Sequence, residues 1–263
     1  MRILNAYANK AANWCSRLFA YPLIRSSIRM ILHVLLPRTC LHCLKDLPWK
    51  SDRALCPECE GALERLPELH CARCGLPLKY GGETCYDCRG RKKTAAALDL
   101  ARSAFVFNAE LRSLIHAFKY SQMESLAVPL SEAMTAAFDR FPELKDYKFV
   151  LAVPLHPAKK KERGFNQSEL LARKLAAAKH LFLLENAAAR ALNTKPQVSL
   201  SKEERADNMK GAFKIIRPEL VKGRNILLID DVATTLSTLE ELAGELKKCG
   251  AKGVAALTLA REP

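Results

Sequence analysis

No acidic residue occurs before Asp46, although this first stretch carries several arginines and two lysines among Leu, Ile, Phe and Trp side chains. A secretory signal needs one unbroken apolar stretch, and Arg17, Arg25 and Arg29 interrupt it here. The pattern instead predicts a cationic amphipathic helix over residues 1–37, which ends at Pro37. Three roles are open for such a helix: it can pack on its own protein, make a peripheral membrane contact or bind a partner. The Arg-rich, acid-free composition also resembles an organellar transit peptide.

Long uncharged apolar runs are also missing from the chain. None approaches the about 20 residues that a membrane-spanning helix needs, and we expect a cytoplasmic protein. Apolar residues make up 49% and charged residues 27% of the 263 residues, which excludes a disordered or collagen-like chain. The net charge of +14 favours phosphate-bearing partners, namely nucleotides, nucleic acid or anionic lipid, without choosing among them.

The cysteines are concentrated in one region instead of being spread over the chain. Of ten cysteines, eight form four Cys-x-x-Cys pairs within residues 38–90, which indicates metal binding and not a disulfide framework. Four thiolates fill a tetrahedral zinc site, so we expect two structural Zn²⁺ ions in a double zinc ribbon. The spacing leaves serial and cross-braced pairing open. The expected ligands are Cys40, Cys43, Cys56, Cys59, Cys71, Cys74, Cys85 and Cys88.

Short apolar runs alternate with helical patterns over residues 95–263. This alternation predicts βαβ units, and therefore a parallel sheet flanked by helices. The expected strands cover residues 103–107, 149–153, 225–229 and 254–259. The expected helices cover residues 110–118, 125–138, 167–178 and 237–248.

Residues 225–238 combine an apolar strand, two adjacent carboxylates and a hydroxyl-rich turn before a helix. Ligands of open α/β sheets bind at the carboxyl ends of strands, where Asp230 and Asp231 are expected. Carboxylates there can accept hydrogen bonds from sugar hydroxyls, and the amino end of a helix favours a phosphate. The hydroxyl groups come from Thr234, Thr235, Ser237 and Thr238.

This stretch resembles the phosphoribosyl-pyrophosphate (PRPP) motif of type I phosphoribosyltransferases. The residues 153–156 and 163–167 and the order of parts, a cysteine ribbon before the α/β domain, resemble the ComF family of competence and GntX-like proteins. The resemblance implies a type I phosphoribosyltransferase-like domain that binds PRPP, with Mg²⁺, through Asp230, Asp231 and the hydroxyl loop. Leu236 departs from the family pattern, because the family usually has glycine there, and this change puts PRPP affinity in question.

A basic segment follows the strand that ends at Val153, and we expect it at the same sheet edge as Asp230. We interpret it as a mobile loop that contacts an anion, either pyrophosphate or a nucleic-acid backbone. The resemblance places the pyrophosphate loop at residues 154–158. The candidate residues of this anion loop are Pro154, Lys159, Lys160, Lys161, Arg163 and Gly164.

Two functions remain open at the level of the sequence. The first is a phosphoribosyltransferase, in which the carboxylates hold ribose, the hydroxyl loop holds the 5′-phosphate, and the basic segment with Mg²⁺ holds the pyrophosphate. The second is a non-catalytic protein that binds single-stranded DNA or senses PRPP. The ComF resemblance implies a role in DNA uptake, with other uptake proteins as partners, and the basic charge permits it. No catalytic residue or acceptor substrate is evident.

Overall fold

The computed structural model describes residues 37–48, 50–51, 53–90, 96–121, 123–192 and 209–263. The amphipathic helix expected over residues 1–37 therefore lies outside the described residues, except for Pro37. The chain divides into two compact units, Met1–Gly61 and Ala62–Pro263. In the described ranges, no helix is both long and apolar enough to span a bilayer.

The smaller unit contains the first two Cys-x-x-Cys pairs. The Cys40 amide donates to Lys45 O (2.9 Å) and Leu44 N donates to Cys40 O (3.0 Å), which closes a tight turn around the first pair. Leu44 adopts a φ of 63° in this turn. The second pair begins the short helix α1 (Pro57–Gly61), whose Cys59 is buried.

The larger unit is organised around a parallel sheet. The strands of this unit, in chain order, are β1 (Leu100–Val106), β2 (Phe149–Ala152), β3 (Phe182–Leu183), β4 (Ala188–Arg190), β5 (Phe213–Ile215), β6 (Asn225–Ala233) and β7 (Gly253–Arg261). Five of them form the sheet in the order β1-β7-β6-β2-β3, and every pairing in it is parallel. β4 and β5 form a separate antiparallel pair.

Helices cover both faces of this sheet, as the alternating sequence pattern predicts. The helices of the larger unit are α2 (Tyr86–Arg89), which belongs to the second cysteine region, and α3 (Ala109–Tyr120), α4 (Ala127–Arg140), α5 (Pro157–Arg163), α6 (Gln167–Lys179) and α7 (Ser237–Lys248). α4 and α6 pack on each other and on the sheet, while α7 packs on β7 and β5. The central strands β6 and β7 are consequently buried along most of their length. The expected α/β fold class and the four expected strands and helices are confirmed.

The second cysteine region is built onto one edge of this sheet. Leu66 N donates to Ala104 O (3.1 Å) and Ala101 N donates to Arg73 O (2.7 Å), so chain segments of this region continue the ladder beside β1. Gly75 has a φ of +68°, and a Cβ at this position would lie 2.7 Å from Ala101 O. Glycine therefore permits the close approach between the Cys71–Cys74 turn and β1.

Candidate functional site

The eight paired cysteines form two separate clusters, and the pairing is serial. The clusters are Cys40, Cys43, Cys56 and Cys59 in the smaller unit, and Cys71, Cys74, Cys85 and Cys88 in the larger unit. Within each cluster, all Sγ atoms lie within 4.8 Å of one another. The Sγ atoms of Cys43 and Cys56 are 3.7 Å apart, and those of Cys74 and Cys85 are 3.6 Å apart. A tetrahedron with Zn–S bonds of about 2.3 Å has edges of about 3.8 Å, so both clusters fit Zn²⁺.

Backbone amides prepare the first thiol of each cluster for metal binding. Burial raises the pKa of Cys40, but amide hydrogen bonds from Cys43, Cys56 and His42 outweigh burial and lower it to about 6. Cys71 shows the same balance, with burial opposed by the amides of Cys74, Cys85 and Arg73, and its pKa falls to about 7. Thiolate is the form that ligates zinc, so the tight turns supply charge stabilisation as well as geometry.

The two adjacent carboxylates lie near the carboxyl end of β6. The sequence predicts that this strand ends at Ile229, but β6 continues through Ala233 because it keeps pairing with β7 on one side. On its other side, the last partner in β2 is Ala152, opposite Ile229. Asp230 and Asp231 therefore lie where β2 has ended and the sheet edge has opened.

Each carboxylate has a specific partner from a neighbouring helix. The Ser168 hydroxyl at the start of α6 donates to Asp230 Oδ1 (2.8 Å), which also accepts from Asp231 N (2.9 Å). Lys119 Nζ, in the last turn of α3, lies 2.9 Å from Asp231 Oδ1. Burial, and then the charge of Asp231, raise the pKa of Asp230 to about 7, although Lys119 and Ser168 oppose the shift. At neutral pH Asp230 can therefore accept or release a proton.

Three further cations lie in the neighbourhood of the carboxylates. Burial lowers the pKa of Lys159, and the nearby Arg190 and Arg163 lower it further. Burial also lowers the pKa of Arg190, while Asp230 opposes and Arg163 reinforces this shift. Lys119 is paired with Asp231, Arg190 interacts with the charge of Asp230, and the charges of Lys159 and Arg163 act on these cations in turn. We call this group the cation cluster; its excess of positive charge suits an anionic ligand.

The basic segment, expected to be a mobile loop, is the short helix α5. Pro157 is its first residue, the His156 side chain accepts from Ala158 N (3.2 Å), and Gly164 ends it with a φ of 83°. Proline at the first position and glycine after the last are standard helix boundaries, and lysine is a good helix former. The expectation of a loop was therefore wrong.

Helical geometry separates the basic residues of α5. Residues four apart share a face, which puts Lys159 and Arg163 together in the cation cluster. Lys160 points elsewhere and pairs with Glu169 on α6 (2.8 Å), and Lys161 is exposed. The Arg163 guanidinium lies 4.9 Å from the Tyr120 ring centre and donates to Gln167 Oε1 (3.3 Å), which holds it against α3 and α6. Pro154 lies in the half-buried connection that leads from β2 to this helix.

The hydroxyl-rich segment leads from β6 into the first turn of α7, and we call residues 234–238 the phosphate loop after the ligand that the PRPP resemblance implies. All four of its hydroxyl residues are half-buried, and the Thr235 and Ser237 hydroxyl oxygens lie 2.8 Å apart. Leu236 adopts a left-handed conformation, with φ 66° and ψ 1°, and its side chain is 8% exposed. The departure from glycine therefore falls at a position that does require positive φ.

Residues 163–167, which carry part of the ComF resemblance, hold the site together. Asn166 donates to Val153 O (3.1 Å) and accepts from Ser168 N (3.1 Å), so it fixes the start of α6 beside β2. Gln167 donates to Phe118 O (3.3 Å), and Phe165 is buried against the Phe118 ring at 5.6 Å. These contacts position Ser168 and Lys119 at the carboxylates.

Lys119, Ser168 and Arg190 of this site were missed in the sequence; a single lysine at the end of a helix, such as Lys119, usually only compensates the helix dipole. Ser168 is one of many serines near a helix start, and its bond to Asp230 depends on the packing of α6 against β6. Arg190 lies on β4, where its guanidinium is held over the Phe213 ring at 5.6 Å and donates to Met209 Sδ (3.6 Å). No local motif marks either position.

Comparisons with known proteins agree with this architecture. The family described as "Double zinc ribbon domain" matches residues 31–89, which confirms the expected double ribbon. Competence protein F of Haemophilus influenzae is 29% identical over 226 residues, 84% of this chain and 96% of that protein. DNA utilization protein YhgH of Escherichia coli K12 is 32% identical over 212 residues, 79% of this chain and 90% of that protein.

Other relatives extend the same pattern. Competence protein ComFC of Bacillus subtilis is 29% identical over 228 residues, 82% of this chain and 90% of that protein. Among solved structures, the glutamine PRPP amidotransferase of B. subtilis aligns with a TM-score of 0.35 and 15% identity. That alignment covers 51% of this chain and 26% of the amidotransferase, and it carries no argument about function.

Proposed function

Because the chain belongs to the ComF family of competence and DNA-utilization proteins, we propose that its α/β domain binds a phosphorylated ribose of the PRPP class, in the cytoplasm, as part of DNA uptake. The observation that carries the proposal is the position of Asp230 and Asp231. Asp231 is paired with Lys119, and Asp230 has a raised pKa and accepts from Ser168. Both carboxylates lie at an open sheet edge, next to the cation cluster and the phosphate loop.

Each part of this site matches one part of the ligand. The carboxylate oxygens of Asp230 and Asp231 accept hydrogen bonds from the vicinal ribose hydroxyls. The amide and hydroxyl groups of the phosphate loop bind the 5′-phosphate at the amino end of α7. Lys159, Arg163 and Arg190 bind the pyrophosphate through charge-assisted hydrogen bonds, and a bound Mg²⁺ would offset its remaining charge.

We also propose that each four-cysteine cluster holds one structural Zn²⁺. The serial clusters close all four tetrahedral positions with sulfur, so no position is open for a substrate. The metals then stabilise two small ribbons, which have little apolar core of their own, and take no part in chemistry at the ribose site.

A test by calorimetric titration follows from the geometry. Native protein titrated with PRPP and Mg²⁺ should bind it, and Asp230→Asn or Asp231→Asn should weaken binding by about tenfold or more. Asp139→Asn is the matched control, because Asp139 pairs with Lys179 on the surface at 2.5 Å. Absence of heat from the native protein at millimolar PRPP would overturn the proposal. Pyrophosphate release on adding nucleobases would establish transfer as well as binding.

A second function, binding of single-stranded DNA, is favoured by one separate observation. Tyr80 and Tyr86, in the second ribbon, are 84% and 92% exposed and lie near Lys79 and Arg89 in the chain. Exposed aromatic rings among cations can stack on bases along a phosphate backbone. Titration of oligothymidylate at two salt concentrations tests it, since binding should weaken steeply with salt and fall in Tyr80→Ala.

A further inference from the structure

Arg261, near the end of β7, connects the second cysteine cluster to the phosphate loop. Its side chain is buried (6% exposed). Nε donates at 3.0 Å to the backbone carbonyl of Cys74, which is itself one of the four cysteines of the cluster. The Nη1 group donates to Ala233 O (3.1 Å) and to Thr234 O, at the start of the phosphate loop. It also donates to Glu262 O (2.7 Å).

The acceptors named above are backbone carbonyls, which sets what Arg261 can do. Such bonds fix the position of the backbone, whatever the side chains of the acceptor residues are. A guanidinium has a rigid, planar arrangement of donors, so moving one set of acceptors disturbs the others. The turn that carries Cys74 O is therefore mechanically linked to the turn that begins the phosphate loop.

Leu236 makes a second connection between the same two parts. Its side chain belongs to the buried apolar cluster that includes Cys71, Cys74 and Cys85. A cleft of about 370 Å³ is lined by Thr234, Thr235 and Leu236 on one side and by Cys74, Cys85 and Cys88 on the other. A leucine at a positive-φ position is costly, and burial in this apolar cluster offsets part of that cost.

Glu240 provides a third connection, in the first turn of α7. Its carboxylate accepts from Ala97 N (3.0 Å) and Leu98 N (3.1 Å), in the chain that follows the ribbon. The amino end of α7, which closes the phosphate loop, is thus tied to the segment that leaves the second cluster.

We propose that Arg261 is a positioning residue through which metal in the second cluster orders the phosphate loop. Metal bound by Cys71, Cys74, Cys85 and Cys88 fixes Cys74 O, Arg261 carries that position to Thr234 O, and Leu236 rests on the same surface. The second ribbon then sets the affinity of the loop for phosphate, whereas the first ribbon, in the other compact unit, has no such effect. The affinity part rests on the proposed function; the ordering part does not.

Hydrogen exchange of the phosphate-loop amides tests the ordering part without any ligand. Cys88→Ser removes one ligand from the second cluster, and Cys43→Ser removes one from the first; both cysteines are among the less buried members. Metal analysis should find about one equivalent lost in each variant. We expect amides 234–238 to exchange about tenfold faster in Cys88→Ser and at the native rate in Cys43→Ser. Equal rates in the two variants would overturn the proposal.

Arg261→Lys isolates the linking residue while both clusters keep their ligands. We expect faster exchange of amides 234–238 with two metal equivalents still bound, and unchanged exchange at Leu227 and Leu228 as the measure of an intact sheet. Native protection of the loop in this variant would contradict the role of Arg261. PRPP affinity should fall in Cys88→Ser and Arg261→Lys alone. If native protein binds no PRPP, the proposed function fails while the exchange data still decide the coupling.

Discussion

Lys119 and Asp231 join the end of α3 to the carboxyl end of β6, with Nζ 2.9 Å from Oδ1. Both side chains are largely removed from water, at 21% and 11% exposure. The lysine neutralises one of two adjacent carboxylates that would otherwise repel each other. This ion pair therefore allows β6 to carry two adjacent carboxylates.

Lys119→Met should consequently leave the Asp231 carboxylate buried without its cation. We expect a loss of about 1–3 kcal/mol in the free energy of unfolding, because a half-buried charge loses its partner. Asp231→Asn in the same chain should restore most of the loss. Urea unfolding at pH 8 measures both, and Lys179→Met, at a surface pair, is the control. Equal losses in Lys119→Met and Lys179→Met would contradict this account.

The raised pKa of Asp230 predicts a pH dependence of stability. Its folded value of about 7 exceeds the ordinary aspartate value, so the folded state holds more protons than the unfolded state. The stabilisation is present at low pH and is lost as pH rises through the folded pKa. Asp230→Asn should therefore be more stable than native protein at pH 8, with a smaller gain at pH 5. A gain in the free energy of unfolding that does not change with pH would contradict the raised pKa of Asp230.

The two faces of α5 predict different effects for neighbouring lysines. Lys159→Ala should weaken binding of inorganic phosphate or PRPP by about tenfold, and it should also reduce the dependence of binding on salt. Lys160→Ala should leave binding unchanged, because Lys160 pairs with Glu169 away from the cluster. Calorimetry of the two variants decides the point. Equal losses of affinity in the two variants would show that the lysines of this segment act as one uniform basic surface.

Leu236 offers a comparison between strain and packing. Leu236→Ala keeps the positive φ and loses the buried side chain, at a cost of about 2–5 kcal/mol. Leu236→Gly loses the same packing but is relieved of about 1–2 kcal/mol of strain. We expect both melting temperatures to fall, less so for glycine. Leu236 already has a positive φ in the unliganded fold, so the strain does not change on binding, and PRPP affinity should fall in both variants because the loop loses its packing. Tighter binding of PRPP by Leu236→Gly would contradict this role of the Leu236 side chain.

Much of the architecture could be predicted from the chain. The apolar run before Asp230 and the four cysteine pairs have local patterns strong enough to fix a strand and two metal clusters. The serial pairing could not be predicted, because two Cys-x-x-Cys turns fit one ion in either order. The end of β6 was also missed, since its extension to Ala233 depends on pairing with β7.

The candidate site was also predictable only in part, because contacts between distant parts of the chain leave no local pattern. Asp230, Asp231 and the phosphate loop lie in one continuous segment and show a recognisable order. Ser168 on α6 donates to Asp230, and the charge of Arg190 on β4 interacts with Asp230, so both roles arise from tertiary packing. Lys159 and Lys160 point in different directions because the segment is a helix. Predicting this required recognising Pro157 and Gly164 as helix boundaries.

The most direct measurement of the central claim is the amide spectrum of native protein titrated with ribose 5-phosphate, inorganic phosphate and ribose. We predict that inorganic phosphate shifts the amides of residues 234–238, and that ribose 5-phosphate shifts these together with Asp230 and Asp231, at lower concentration than ribose alone. Shifts confined to other residues, such as Lys160, Lys161 or the ribbons, would contradict a phosphorylated-ribose site at the end of β6.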